Sequence, residues 1–393
     1  MGSERDVIVI GAGPAGSRLA MELAKNGMNV AVYEKRQEIG APKRCGEGIS
    51  ANSIKRLNLE DIPERCIRAK IKGALIYAPN GKCIEIKFDE VQGFIIERKL
   101  FDKWLAEKAA REGAYIQSKT EITDLIRENG RIVGVKGVFL GEEFSERAKV
   151  VVSCEGVEGV IARKAGFPPI NPKDYESAAQ FEMAGIEVEE NYLEFYFDAE
   201  RFPRGYLWVF PKGKDVANIG IGIASYVEKP AVCYLREWLA GQERFRNGSI
   251  LEVNSGGLPV GGITKELVKD NFLLVGDIAR QVNPIHGGGL FEAQYAAKIA
   301  AEVLKESFER QDFSENFLKK YSEIWYESRG KSLERIEKIR AVLENMDNDD
   351  LNFLAENLSS ENIIDLAHGE KLWLLAKILA KRPKLIKYAR YLL

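Results

Sequence analysis

Continuous apolar runs and alternating ones divide this chain into regions of different texture. Asp6-Val-Ile-Val-Ile10 is a short unbroken apolar run, as a strand buried on both faces requires. Gly11-Ala-Gly-Pro-Ala-Gly16 follows it. Ser17 to Asn26 then reads as a helix with Leu19, Ala20 and Leu23 on one face, and Asn29 to Glu34 as a second strand ending in an acid. Further on, the spacing predicts strands at 73–77 and 83–88 and a helix over Arg98 to Arg111. A three-strand meander is predicted over 114–118, 121–127 and 131–139, with Asn129-Gly130 as a hairpin turn. Lys149 to Cys154 returns to the unbroken pattern and predicts another strand of the first sheet. From about 175 to 260 alternation takes over, in Tyr192 to Phe197, Gly205 to Pro211 and Val216 to Ile223. That predicts an antiparallel sheet in a separate layer. Asn271 to Val275 is again a buried strand, a long helix is expected from the glycines at 287–289 to about Gln311, and everything from about 314 onward is helical in pattern.

The 393 residues suffice for two to three domains, or for one large fold with an inserted layer. Lys+Arg 57 against Asp+Glu 59 leaves a formal charge of −2, which argues against a chain-wide nucleic-acid binder. No apolar stretch approaches the ~18 residues of a membrane span, and the first residues do not read as a secretion signal. The five cysteines are scattered with no CxxC pair, and there are only two histidines, His286 and His368. Neither a disulfide framework nor a metal site is expected, and a cytoplasmic setting is the natural reading.

Two clusters carry chemistry. In the first, Gly11 permits a tight turn, Gly13 lets backbone approach a pyrophosphate, and Gly16 allows close helix–strand packing. The anion would sit at the helix N-terminus, and Glu34 would accept from ribose hydroxyls. Strand, turn, helix, strand and acid together predict an adenine dinucleotide site; the motif itself does not choose between FAD and NAD. The second cluster runs from Gly276-Asp277 to Pro284-Ile-His-Gly-Gly-Gly289. It again puts an acid just past a buried strand, then glycines at a helix start, here Gly287, Gly288 and Gly289. Asp277 can accept from a polyol, and the glycine N–H groups can hold developing negative charge.

With Glu34, these motifs resemble the FAD fold of the para-hydroxybenzoate hydroxylase type. Arg44-Cys-Gly-Glu-Gly48 and Tyr206-Leu-Trp-Val-Phe-Pro-Lys-Gly213 are similar to the archaeal geranylgeranyl reductases. The resemblance covers about residues 5 to 330. It implies a mixed α/β fold with three parts: a Rossmann-type FAD-binding domain in segments 1–75, 98–170 and 265–310; an antiparallel-sheet substrate domain in 76–97 and 171–264; and a helical region over 311–393. It implies FAD held by Ala15, Glu34, Arg44, Cys45, Gly46, Gly48, Arg98, Asp277, Gly288, Gly289 and Leu290, with Ile122 offering backbone contacts to adenine. The implied reaction saturates isolated double bonds of geranylgeranyl ether lipids or prenyl diphosphates by hydride from reduced flavin plus a proton. Cys45, Tyr206 and His286 are the candidate catalytic residues. Tyr206, Trp208 and Phe210 share one strand face and, with Pro211, are candidates for a lipid-lining wall; the core face of a sheet is the plain alternative. Where relatives show Asp-Gly after the 150s strand, this chain has Glu155-Gly156, which puts direct NADPH reduction in question. A ferredoxin-like protein and NAD(P)H both stay open as electron donor. An FAD monooxygenase on the same fold is the alternative activity.

The last stretch, Lys371 to Leu393, carries seven Lys and Arg and no acid, interleaved with Leu, Ile and Trp. Two readings stand side by side: a peripheral contact with the inner face of the cell membrane, or helices packed over the substrate site with solvated lysines.

Overall fold

A computed structural model describes residues 4–392, without the side chain of residue 391. The unbroken apolar runs form one parallel sheet. Its neighbours are, in order, Phe272–Leu274, Glu142–Ser153, Arg5–Ile10, Val30–Tyr33 and Tyr115–Gln117, with the short strand Val268–Lys269 antiparallel at one edge. Helices Pro14–Lys25 and Leu290–Arg310 pack against it. Val7, Val9, Val32, Val150 and Leu273 are completely or almost completely buried there, among helix residues such as Leu19 and Ala297. The meander is two-thirds as expected. Thr120–Glu128, Arg131–Phe139 and the start of Glu142–Ser153 form it, whereas Tyr115–Gln117 pairs in parallel with Val30–Tyr33.

The alternating region forms a seven-stranded sheet in the order Ser249–Leu258, Glu176–Ala184, Val216–Ala224, Tyr206–Pro211, Tyr192–Tyr196, Gly73–Tyr77, Cys83–Lys87. Its pairs are antiparallel except one, since Tyr192–Tyr196 runs parallel to Gly73–Tyr77. The boundary expected at 75/76 therefore cuts a strand that lies wholly in this sheet. Alternation assigns its faces. Ala217, Ile219, Ile221 and Ile223 enter a core with Leu207, Val209 and Phe181 under helix Ala231–Ala240. Asn218, Gly220 and Gly222 occupy the opposite face, in register with Phe210, Trp208 and Tyr206.

The expected boundary at 311 does not separate two cores either. Leu318, Tyr321 and Trp325, on helix Glu315–Trp325, belong to the core of the parallel sheet, and so do Leu333 and Ile336. A distinct C-terminal cluster begins only at Ile339. Among the described residues, no helix is long and apolar enough to cross a membrane.

Candidate active site

A cavity of about 460 Å³ lies between the parallel sheet and the glycine-bearing face of the second sheet. Gly11, at φ +100°, turns the chain so tightly that a Cβ there would stand 2.4 Å from the Cys154 carbonyl oxygen. A Cβ on Gly16 would stand 1.9 Å from the Gly11 carbonyl oxygen, so both glycines are required by close approach. Gly13 faces open space. It starts helix Pro14–Lys25, which has no side-chain cap and no acid in its first turn. Its free N–H groups and dipole are thus left for an anion. Glu34 lines the cavity beside them and accepts from the N–H of Ala12 (3.0 Å) and Arg36 (2.9 Å).

Ala15, Arg98, Asp277, Gly289 and Leu290 border the same cavity. Helix Leu290–Arg310 starts at Gly289, again with no side-chain cap. The Arg98 guanidinium is bidentate to Asp102, at 2.7 Å for both bonds. Burial pushes the Asp277 carboxyl up, with Arg98 opposing. Ile122 lies at one end, with Thr120, Glu121 and Thr123 around it. Gly48 and Gly288 are not on the wall. Gly48 opens a strand paired to Gly93–Ile96, and a Cβ on Gly288 would strike the His286 ring at 2.6 Å. Glu155 is absorbed by the fold: it accepts from Ser153 Oγ (2.7 Å) and from the N–H of Ile161 (2.9 Å) and Ala162 (3.0 Å), capping helix Val160–Lys164.

The loop at 43–48 is held by partners distant along the chain, which no local pattern foreshadows. Glu47 is fully buried at φ 73°, an uncommon conformation for a residue with a Cβ. Its carboxylate accepts from Arg98 N (2.7 Å), Asn218 Nδ2 (2.7 Å), Lys212 Nζ (2.7 Å) and Lys43 Nζ (3.1 Å). Burial opposes its ionisation, but Lys212 and Lys43 outweigh burial and hold its pKa below the ordinary range. Glu182 bonds both lysines as well. This network fixes the loop so that the Glu47 N–H points at Cys45 Sγ (3.1 Å). Gln180 ties the loop to the wall by donating to the Cys45 carbonyl (3.0 Å) and accepting from Trp208 Nε1 (3.0 Å). Arg44, on the cavity rim, pairs with Glu158 (3.0 Å). Gly46 lies under Phe210, whose ring would be 2.9 Å from a Cβ.

Tyr206, Trp208 and Phe210 line the cavity from one face of their strand, with ring centroids 5.9 and 6.3 Å apart in sequence. Pro211, grouped with them from the sequence, falls on the opposite face by alternation and is buried at the strand end. Tyr206 donates its hydroxyl to the His286 carbonyl (2.9 Å), and burial pushes the phenol pKa up. His286 borders the cavity and is exposed there. The protein atoms around it push its pKa down, and its Nδ1 accepts the Gly288 N–H (3.1 Å). It is neutral at pH 7.

Residues 174–258 match the model of the geranylgeranyl reductase catalytic domain, and residues 4–213 match that of an FAD binding domain. A Methanopyrus kandleri protein named digeranylgeranylglycerophospholipid reductase 2 is 41% identical, over 99% of this chain and 100% of its own. The chain belongs to the geranylgeranyl reductase family. A second relative, digeranylgeranylglycerophospholipid reductase of Methanocaldococcus jannaschii, is 40% identical over 99% of this chain and 98% of its own. The crystal structure of a geranylgeranyl bacteriochlorophyll reductase-like protein from Thermoplasma acidophilum superposes with a TM-score of 0.91, at 32% identity and with both chains fully covered. FAD is the cofactor. The site fits it on its own terms: an uncapped helix start for the pyrophosphate, Glu34 placed as a ribose acceptor, and a second uncapped helix start beside Asp277.

Proposed function

We propose that this protein is an FAD-dependent oxidoreductase that saturates isolated C=C bonds in the geranylgeranyl chains of archaeal ether phospholipids or their prenyl precursors. One observation carries the reading: the cofactor cradle faces, across one cavity, a wall of three aromatic side chains over a floor of glycines. Bound and reduced, FAD supplies hydride. The chain's own residues do the rest. Glu34, the N-terminus of helix Pro14–Lys25, Arg98 and Asp277 bind and orient the cofactor. Cys45 and Gly46, pinned through Glu47 and Gln180, border it on the substrate side. Tyr206, Trp208 and Phe210 offer an apolar surface that excludes water along a lipid chain.

The test is anaerobic. The purified holoenzyme is reduced with dithionite and mixed with a geranylgeranyl ether phospholipid. Flavin absorbance should return, and mass spectrometry should show the lipid gaining two hydrogens per double bond. A protein that the lipid cannot reoxidise sinks the proposal. Replacing dithionite first by a reduced ferredoxin and then by NADPH separates the two electron donors considered.

The C-terminal helices support a narrower version of the membrane contact. Lys371 pairs with Asp365, Arg382 with Asp350, and Lys384 with Asp347 and Asp350. Much of the charge that looks free in the sequence is thus neutralised within the fold. Trp373, 57% exposed, and Ile386 remain outside, near Lys377 and Lys387. The proposed contact is this apolar pair with its basic neighbours.

A further inference from the structure

Adding hydrogen across an isolated alkene takes a proton as well as a hydride. Among the candidate catalytic residues, Tyr206 donates its hydroxyl to a carbonyl, His286 is neutral and accepts at Nδ1, and the Cys45 sulfur accepts an N–H; none of them is a carboxylic acid.

A second chamber of about 140 Å³ lies beyond Tyr206, which lines both spaces. Phe202, Ile285, Leu343 and Met346 give it apolar walls, and Glu176, Arg204, Arg340 and Glu344 bring the charge. Glu176 is only 6% exposed. Among the described residues, no donor lies within hydrogen-bond distance of its carboxyl. The nearby cation is Arg340, with Nε 3.9 Å away. That guanidinium is engaged elsewhere, through Nη1 with the Val260 carbonyl (2.8 Å) and through Nη2 with Glu344. Its buried Nε has no hydrogen-bond partner.

The carboxyl lies beside the row of Tyr206, the residue that borders both spaces. Gly222 is the register partner of Tyr206, and a Cβ on Gly222 would stand 3.0 Å from Glu176 Oε2. Glu176 therefore leans along the floor into the row of Tyr206. Its own register partner Leu258 lines the main cavity. An apolar chain that reached past Tyr206 into the chamber would meet this carboxyl.

We propose that Glu176 is the catalytic acid that protonates the alkene. The proposal rests on the reductase reading. The π bond breaks. One carbon takes hydride from the reduced flavin, which ends oxidised. The other carbon takes the Glu176 proton, and the carboxylate left behind regains a proton from water. Burial, with Glu344 adding to it and Arg340 opposing, raises the Glu176 pKa to about 7. A large part of it is thus the neutral acid at working pH, which suits a proton donor. The charged and titratable groups that share its chamber are Arg340 and Glu344 from the helix at 331–343 and its end, Arg204 from the turn before the aromatic strand, and Tyr206 from that strand. Gly222 and Leu258 on the neighbouring strands bring none.

The first readout needs no turnover. Infrared spectroscopy of the holoenzyme should show a protonated-carboxyl band that titrates with a midpoint near about 7 and is missing in Glu176→Gln. Then reduced Glu176→Gln, with its flavin spectrum unaltered, should be reoxidised by the lipid at least ~100-fold more slowly than wild type. The wild-type rate should fall as the pH rises past about 7, and the residual rate of the variant should be flat. A missing band, or a variant as fast as wild type, overturns the acid while leaving the reductase reading intact. A wild-type protein that no geranylgeranyl lipid reoxidises overturns both. If Glu176→Gln does not fold, Arg340→Met replaces it: removing the opposing cation should raise the midpoint of the band, and an unmoved midpoint overturns the proposal.

Discussion

Glu176 and Glu182 lie on the same face of one strand, and both are sheltered from bulk water. They have opposite fates. Two buried lysines donate to Glu182, and although burial alone would raise its pKa, their hydrogen bonds bring it down to about 2. Glu176 has one distant guanidinium that is committed to others, and burial wins, at about 7. Position on a strand does not decide the charge of a buried carboxyl; the donors within reach do. One end of this floor is therefore a fixed ionic clamp under the flavin loop, and the other end is a site that can gain and lose a proton.

The clamp should be the costlier end to break. Lys212→Met leaves Glu47, Glu97 and Glu182 short of a shared cation. A loss of about 3–5 kcal/mol in denaturant unfolding is expected, along with weakened FAD binding because the Cys45 loop is released. A loss below ~1 kcal/mol would mean that the network contributes no more than a surface pair does.

The same comparison sharpens with pH. The depressed Glu182 contributes stability that is fully present above its unfolded value of 4.5 and is lost as the pH falls through about 2. The raised Glu176 does the reverse: its contribution is present below 4.5 and is lost as the pH rises through about 7. Each should amount to a few kcal/mol, on the scale of ~1.4 kcal/mol per pKa unit. Glu182→Gln should flatten the acid side of the unfolding profile. Glu176→Gln should flatten the side between about 4.5 and 7. Two variants with the same pH profile would refute the contrast.

Between the two ends lies Gly220. A Cβ there would stand 2.2 Å from Trp208 Cζ2, so Gly220→Ala must displace the indole. A cost of about 1–3 kcal/mol is expected from overpacking, with FAD absorbance retained and reoxidation by lipid slowed. The smallest effect on stability should come from Trp373→Ser. Its unfolding midpoint should stay within ~0.5 kcal/mol of wild type, while co-sedimentation with anionic vesicles drops. Unchanged co-sedimentation would remove the membrane contact.

The dinucleotide turn was legible because its parts are close along the chain: Gly11, Gly13, Gly16 and Glu34 form one strand–turn–helix–strand unit. The aromatic face at 206, 208 and 210 was legible for the same reason, since alternation within a strand is a local fact. Alternation within the same strand puts Pro211 on the other face, whereas the family motif groups it with the aromatic residues. The ionic clamp was not legible. Lys43 and Glu182 are 139 positions apart, and in isolation each reads as an ordinary solvated charge. Glu176 was hidden at the start of a strand among polar residues, because its acidity depends on helix residues 340 and 344. The boundary expected at 75/76 divides the strand at 73–77, since the parallel partner of that strand at 192–196 is far along the chain. Local periodicity carries no information about such partners.

The alternation of isoleucine and glycine in Val216–Ala224 constrains how this protein can diverge. On the isoleucine side, a methylene gained or lost can be absorbed by repacking. On the glycine side, the first carbon added at 220 evicts an indole, and at 222 it crowds a carboxyl. The floor is thus closed to gradual change by single substitutions. Relatives with tastes for longer, shorter or bulkier chains would have to differ in the wall at 206, 208 and 210 or at Leu258, with the same bare floor beneath.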